Sequence, residues 1–175
     1  MILALFPADP FVAAAEQHSA RRFEREDADD GNCFYRAIAR QVYGDPSLHA
    51  HVRAELCDFM AAHRDDFAPF VATADVAPSS TAAAGDEFEA YLAQQRRSGA
   101  WGGELEMRAC AQRYRRQVYA YQPAASSAPT AMLTVHRPAT EGVPYASAQS
   151  QPPPNKADVA MCFENQSHWN SLVLL

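Results

Sequence analysis

The stretch D-D-G-N-C-F-Y-R-A, from Asp29 to Ala37, constrains the fold of this chain more than any other. A short polar turn ends in Cys33, and the residues from Ile38 to Tyr43 then repeat with the spacing of a helix that Gly44 ends. Cys33 therefore lies at or near a helix N-terminus, where unpaired N–H groups and the helix dipole favour an anion. A thiol in that position can be a nucleophile, although a structural cysteine is the commoner case.

The end of the chain offers a partner for this cysteine. The sequence H-W-N-S-L-V-L-L, from His168 to Leu175, has the β-branched and aliphatic character of a buried strand. Because a strand has a period of two residues, His168 and Asn170 project from the same face. A side-chain amide in that relation can hold an imidazole in one orientation, as in cysteine proteases with a Cys-His-Asn set. The plainer interpretation is a polar strand start with an incidental histidine.

Taken together, these segments resemble a known family. The sequence D-G-N-C-F-Y-R-A-I-A-R-Q-V-Y-G-D is followed far downstream by H-W-N-S-L-V, with W-G-G-E and E-M-R-A between them. This pattern resembles the OTU (ovarian tumour) family of deubiquitinating cysteine proteases, and Q-V-Y-G-D is most similar to its DUBA-like branch. The resemblance runs from Phe23 to Leu175. It predicts a catalytic domain over residues 23–175, preceded by a lead-in segment over residues 1–22.

The resemblance implies a papain-like cysteine protease fold and the activity of a deubiquitinase. Such an enzyme hydrolyses the isopeptide bond at the C-terminal glycine of ubiquitin through a thioester acyl-enzyme, and it needs no cofactor or metal. Cys33 is then the nucleophile, His168 the general base and Asn170 the residue that orients the imidazole. Asp30 belongs to the catalytic motif of the family, but its carboxylate could instead only cap the helix that follows.

The same resemblance suggests how substrate is held. Backbone amides would bind the oxyanion, and Gly31 allows the tight turn beside the sulfur that brings them together; they belong to Asp30, Gly31, Asn32 and Cys33. Substrate-binding candidates are Trp101, Glu104 and Trp169. For Trp169, packing in the core is the alternative to forming a wall of the channel for the ubiquitin tail.

Composition limits the partners. The chain has 175 residues, the length of one domain, and a net charge of −6, which argues against nucleic acid or an anionic membrane as its main partner. An acidic protein suits a partner with a basic tail, and the C-terminal segment of ubiquitin is such a tail. The resemblance implies ubiquitin, its chains and ubiquitinated proteins as partners, and we expect a monomeric enzyme. The four cysteines form no C-x-x-C pair and no zinc spacing, which predicts reduced thiols and an intracellular protein. We expect a cytoplasmic location, with the nucleus as the alternative.

The order of predicted elements indicates an α+β domain whose helices pack on a small, mostly antiparallel sheet. Arg53 is predicted to face outward from its helix, and residues 73–85 and 137–155 are predicted to be mobile loops. The predicted helices are residues 11–20, 33–43, 48–63, 65–71, 86–95 and 104–114. The predicted strands are residues 21–25, 117–122, 131–136, 158–163 and 168–175, with the last two forming a hairpin.

Three other functions compete with deubiquitination. A redox or zinc protein would need paired cysteines, which the sequence lacks. A papain-like or cell-wall amidase type of cysteine hydrolase would also pair a cysteine nucleophile with a histidine base. However, the papain-type C-G-[SA]-C-[WY] signature is absent around Cys33. A non-catalytic ubiquitin-binding module would be expected to have lost part of its triad. Here Cys33, His168 and Asn170 are all present.

Overall fold

The computed structural model describes residues 10–26, 30–71, 87–123, 131–138, 140–147, 154–164 and 168–174. The helices in these ranges are α1 Pro10–Ser19, α2 Cys33–Tyr43, α3 His49–Ala62, α4 Arg64–Val71, α5 Glu87–Gln95 and α6 Glu104–Tyr114. The strands are β1 Arg22–Glu24, β2 Val118–Pro123, β3 Ala131–Arg137, β4 Thr140–Ser147, β5 Val159–Glu164 and β6 His168–Val173.

The strands form one six-stranded sheet in the order β1-β6-β5-β2-β3-β4. Neighbouring strands are antiparallel except for β2 and β5, which run parallel. The predicted terminal hairpin is confirmed, with Glu164 opposite His168 at its closed end. The α+β class with a mostly antiparallel sheet is therefore confirmed.

Helices cover both faces of the sheet. A large buried cluster lies between helices α2 to α6 and one face, and it is built around Phe34, Ile38, Leu56 and Met161. On the other face, α1 packs Phe11, Val12 and Ala15 against tyrosines of β2 and aliphatic residues of β3. The boundary between a lead-in segment and a catalytic domain stays a prediction.

Helix α2 begins and ends where its sequence predicts. Cys33 is its first residue, and Gly44 ends it in the left-handed conformation, with φ 75° and a hydrogen bond from its N–H to the Arg40 carbonyl. The nucleophile candidate thus lies at the N-terminus of a buried helix.

The prediction for Arg53 is wrong. Its side chain is only 4% exposed, donates to the Gln95 carbonyl and to Asn32 Oδ1, and lies 3.8 Å from the centre of the Tyr35 ring. Periodicity assigned a charged residue to the outer face, but the guanidinium finds hydrogen-bond acceptors inside the protein, which makes its burial tolerable.

The prediction of an irregular loop over residues 137–155 is wrong for residues 140–147. These residues form β4, which pairs with β3 at the edge of the sheet with two register shifts. The sequence does not predict this strand, because Gly142 and Pro144 are residue types that are unfavourable in strands. An edge strand tolerates a proline, because one side of its backbone needs no hydrogen-bond partner. Residues 148–153 of the predicted mobile loop, and all of residues 73–85, lie outside the described residues.

Within the described residues, no helix is long and apolar enough to cross a membrane. Nor do those residues contain a group of three or more metal-ligating side chains arranged to hold an ion.

Candidate active site

Cys33 lies where the first turn of α2 meets β6. Its side chain is buried, with 6% exposed, and its Sγ accepts a hydrogen bond from the backbone N–H of Trp169 at 3.5 Å. Because Trp169 directly follows His168, this contact ties the thiol to the strand that carries the predicted base. The two ends of the chain that sequence analysis paired are therefore adjacent.

Burial raises the pKa of the Cys33 thiol. Hydrogen bonds from the backbone N–H groups of Trp169, Phe34 and Cys33, together with the charge of Arg36, act in the opposite direction without overcoming burial. A raised pKa favours the protonated thiol, so a nearby base is needed to remove the proton before the sulfur can attack.

The imidazole of His168 is held by a main-chain oxygen. Its Nε2 lies 2.6 Å from the carbonyl oxygen of Glu26. Since a carbonyl only accepts hydrogen bonds, Nε2 carries the proton, and Nδ1 of the neutral ring keeps the lone pair that a general base needs. Among the described residues, no hydrogen bond joins His168 to Cys33 or to Asn170.

Asn170 is fully buried two residues further along β6. Its Oδ1 accepts from the backbone N–H of Glu26 at 3.0 Å, and its Nδ2 donates to the Glu164 carboxylate at 2.8 Å. Asn170 and His168 thus bind the N–H and the carbonyl of the same residue, Glu26. The roles of Glu26 and Glu164 were not predicted, because neither residue belongs to a motif and both reach Asn170 only through the tertiary fold.

The turn before Cys33 is locked against the segment that precedes α6. Gly31 has φ +73°, and a Cβ there would lie 2.3 Å from the Gly99 carbonyl oxygen. The Asn32 side chain is buried, and its Oδ1 accepts from Arg53 at 2.7 Å and from the Gly99 N–H at 3.0 Å. Only glycine fits at position 31, which holds the candidate oxyanion amides in one conformation.

Asp30 has partners of its own. Its carboxylate forms two hydrogen bonds of 2.6 Å with the Arg36 guanidinium and accepts from the Asn32 N–H at 3.1 Å. The Arg36 hydrogen bonds hold the pKa of Asp30 well below its usual range. Among the described residues, no hydrogen bond joins the Asp30 carboxylate to His168. The Asn32 amide, one of the four oxyanion candidates, already donates to this carboxylate.

The three substrate-binding candidates occupy different environments. Trp101 is 54% exposed, whereas Trp169 is buried against Phe34 and Phe163. Gly102, next to Trp101, packs so closely on Phe34 that a Cβ would meet the ring at 2.2 Å. The Glu104 carboxylate is largely exposed and lies 3.6 Å from the ring of His136.

Residues 28–147 match the family model described as OTU-like cysteine protease. The chain belongs to this family. A curated relative is the ovarian tumor domain-containing deubiquitinating enzyme 6 of Arabidopsis thaliana, 33% identical over 61% of this chain and 19% of the relative. The chain therefore spans about a fifth of the length of the curated relatives it matches.

Solved structures support the OTU fold over most of the chain. The OTUD1 OTU domain matches with a TM-score of 0.64 and 21% identity, covering 93% of this chain and 95% of that domain. An OTU deubiquitinase from Wolbachia pipientis wMel bound to ubiquitin matches with a TM-score of 0.63 and 15% identity, covering 86% and 95%. At these identities the likeness shows the fold.

Proposed function

We propose that this OTU-family chain is a deubiquitinase with Cys33 as its nucleophile. The observation that supports this most directly is the hydrogen bond from the Trp169 N–H to Cys33 Sγ, since it joins the thiol to the residue after His168. The names of two relatives add support, because one is called a deubiquitinating enzyme and another is an OTU deubiquitinase solved with ubiquitin bound.

In the proposed reaction, His168 Nδ1 removes the thiol proton and the Cys33 thiolate attacks the carbonyl of ubiquitin's terminal glycine. The tetrahedral intermediate collapses as His168 returns the proton to the departing lysine amine. A thioester remains on Cys33. Water, deprotonated by His168, attacks this thioester and releases the ubiquitin carboxylate and the free thiol.

The remaining residues are assigned supporting roles in this proposal. Asn170 holds the His168 end of β6 through Glu26, and Asp30 fixes the turn through Arg36. The oxyanion is stabilised by the amides of Asp30, Gly31 and Cys33, whereas the Asn32 amide would first have to leave the Asp30 carboxylate.

The Cys33 side chain is only 6% exposed, and a Gly-Gly tail suits such a buried thiol because it has no side chains to clash. Trp101 is the exposed aromatic residue before α6 and is the best of the three candidates for contacting substrate. Glu104 offers an exposed carboxylate to a basic tail. Trp169 supports the site from within the core, because its ring packs against Phe34 and its N–H reaches the thiol.

Finer assignments belong to the same proposal. The Q-V-Y-G-D sequence supports membership of the DUBA-like branch. The net charge of −6 suits the basic tail of ubiquitin, and the proposed partners are ubiquitin, its chains and ubiquitinated proteins. The enzyme is proposed to be a monomer. The four cysteines all lie within the described residues and form no disulfide, which supports a reducing, cytoplasmic location.

A ubiquitin probe with a C-terminal propargyl group tests the proposal, because it forms an adduct only with a thiol positioned at the ubiquitin tail. We expect an adduct with the wild-type chain and none with Cys33→Ala. Matched controls are Cys57→Ala and Cys110→Ala, which remove other buried thiols. An adduct that persists in Cys33→Ala contradicts the assignment of the nucleophile.

Cleavage of di-ubiquitins of every linkage then separates the alternatives. A deubiquitinase produces mono-ubiquitin from at least one linkage, and Cys33→Ala binds the same chains without cutting them. Binding without cleavage by the wild type identifies a non-catalytic module. If the chain neither binds nor cleaves ubiquitin chains, another type of cysteine hydrolase is the better explanation.

A further inference from the structure

Glu26 joins the two elements on which the proposed chemistry depends. It lies just after β1, and its carboxylate is buried, with 1% of the side chain exposed. Oε1 accepts from Arg40 Nε at 2.9 Å and from Ser171 Oγ at 2.7 Å, while Oε2 accepts from the Arg40 guanidinium at 3.2 Å. Arg40 belongs to α2, which begins at Cys33, and Ser171 belongs to β6, which begins at His168.

The main chain of the same residue holds both polar side chains at the start of β6. Its carbonyl oxygen lies 2.6 Å from His168 Nε2, and its N–H donates to Asn170 Oδ1 at 3.0 Å. The carbonyl requires a proton on Nε2, which leaves Nδ1 as the basic nitrogen. A shift of this carbonyl would release the constraint on the ring.

We propose that Glu26 is a positioning residue for His168: its buried carboxylate, bound by Arg40 and Ser171, anchors the main-chain carbonyl that keeps the imidazole in the Nε2–H tautomer. This inference rests on the proposed function, because it concerns the base of that reaction. A buried carboxylate bound by an arginine and a hydroxyl is expensive to desolvate, and such an anchor holds its backbone more firmly than an apolar side chain would.

Glu26→Gln tests the anchor with almost no change in volume. Whichever oxygen the glutamine NH2 group replaces, it would face an N–H of Arg40, so two donors would oppose each other. We expect kcat for ubiquitin hydrolysis to fall about tenfold, with KM changed less than twofold, because the base is misaligned while the ubiquitin-binding surface is intact. Glu24→Gln, the same change on the more exposed carboxylate paired with Arg22, should retain wild-type kcat.

The tautomer of His168 decides the inference independently of turnover. In ¹⁵N-labelled protein the two ring nitrogens have distinct shifts, and His168→Gln identifies which signals belong to this ring. We expect only the Nε2–H tautomer in wild type and Glu24→Gln, and a measurable Nδ1–H population in Glu26→Gln. A pure Nε2–H ring in Glu26→Gln overturns the inference, whatever happens to kcat.

Two further outcomes are separable. If Glu26→Gln does not fold, Ser171→Ala removes a hydrogen bond to the carboxylate and is judged by the same tautomer criterion. If the wild type cleaves no ubiquitin substrate, the proposed function fails, while the ring spectrum still supports or overturns the positioning role of Glu26.

Discussion

The α2–β6 interface and the α6–β3 interface both bury polar side chains between a helix and a strand, but they satisfy them differently. Between α2 and β6, Glu26, Asn170 and Ser171 are all buried and all hydrogen-bonded. Between α6 and β3, His136 and Thr134 are equally buried, yet His136 Nδ1 and Nε2 and Thr134 Oγ1 have no hydrogen-bond partner among the described residues.

The buried polar groups that are hydrogen-bonded fix the geometry of a site, whereas those without a partner lower the stability of the fold. A buried donor or acceptor without a partner costs about 1–3 kcal/mol, whereas a satisfied one makes a small net contribution and fixes geometry. The α2–β6 interface therefore organises the candidate active site. The α6–β3 interface should be more sensitive to pH and more tolerant of apolar substitution.

The largest expected effect lies at the α2–β6 interface. His168→Ala removes the base and should lower kcat about a thousandfold, whereas Asn170→Ala should lower it about tenfold, because Glu26 still contacts the ring. Steady-state cleavage of a fluorogenic ubiquitin substrate measures both. Asp30→Ala is the comparison variant: a near-complete loss there, with little effect in Asn170→Ala, would reverse the roles assigned to Asp30 and Asn170.

The turn that presents Cys33 should not tolerate a side chain at position 31. Gly31→Ala combines a left-handed φ with a contact of 2.3 Å to the Gly99 carbonyl, so we expect it to lower the free energy of unfolding by about 4 kcal/mol. Gly44→Ala is matched in φ, at +75°, but has nothing within 4 Å and should cost only about 1 kcal/mol. Urea denaturation compares them, and equal losses would contradict the close packing at Gly31.

The α6–β3 interface should lose stability in acid. Burial lowers the pKa of His136 to about 4, and the charge of Arg108 acts in the same direction. The Glu104 carboxylate lies 3.6 Å from the ring and would favour its protonated form, but it is largely exposed and solvent screens its charge. In the unfolded chain the His136 ring has a pKa near 6.5, so it binds a proton in a pH range where the ring in the folded protein stays neutral. The free energy of unfolding therefore falls as pH drops from about 6.5 to about 4, by roughly 3 kcal/mol in total.

His136→Phe should flatten this dependence, because the replacement has no proton to bind. Urea denaturation at pH 7 and pH 5 measures the change, and His63→Phe, on an exposed ring, is the matched control. An unchanged slope in His136→Phe would show that His136 does not control acid sensitivity.

The smallest effects should have opposite signs at the two interfaces. Ser171→Ala removes a hydroxyl that donates to the buried Glu26 carboxylate, and should cost about 2 kcal/mol of unfolding free energy. Thr134→Val removes a buried hydroxyl without a partner at nearly constant volume, and should stabilise the protein by about 1 kcal/mol. Thermal or urea denaturation measures both, and a destabilised Thr134→Val would contradict the comparison of the interfaces.

Local sequence determined most of the elements and both ends of the site. The helix after Cys33 was predictable because its apolar spacing and its terminal glycine are local signals. The terminal strand with His168 was predictable from β-branched and aliphatic residues, and its hairpin with β5 from the short connection between them. Family resemblance, carried by motifs at these two ends, paired Cys33 with His168.

Tertiary structure alone decided what surrounds these residues. Arg53 is buried because acceptors on Asn32 and Gln95 come from other segments. Strand β4 exists because β3 offers it an edge, although Gly142 and Pro144 weaken its own strand signal. Glu26 contacts His168 and Asn170 because β1 pairs with β6 and brings the segment after β1 alongside them. The contacts of Arg53 and Glu26 join residues distant in sequence, and local patterns give no information about such partners. Strand β4 follows β3 closely in sequence, but its strand conformation depends on pairing with β3.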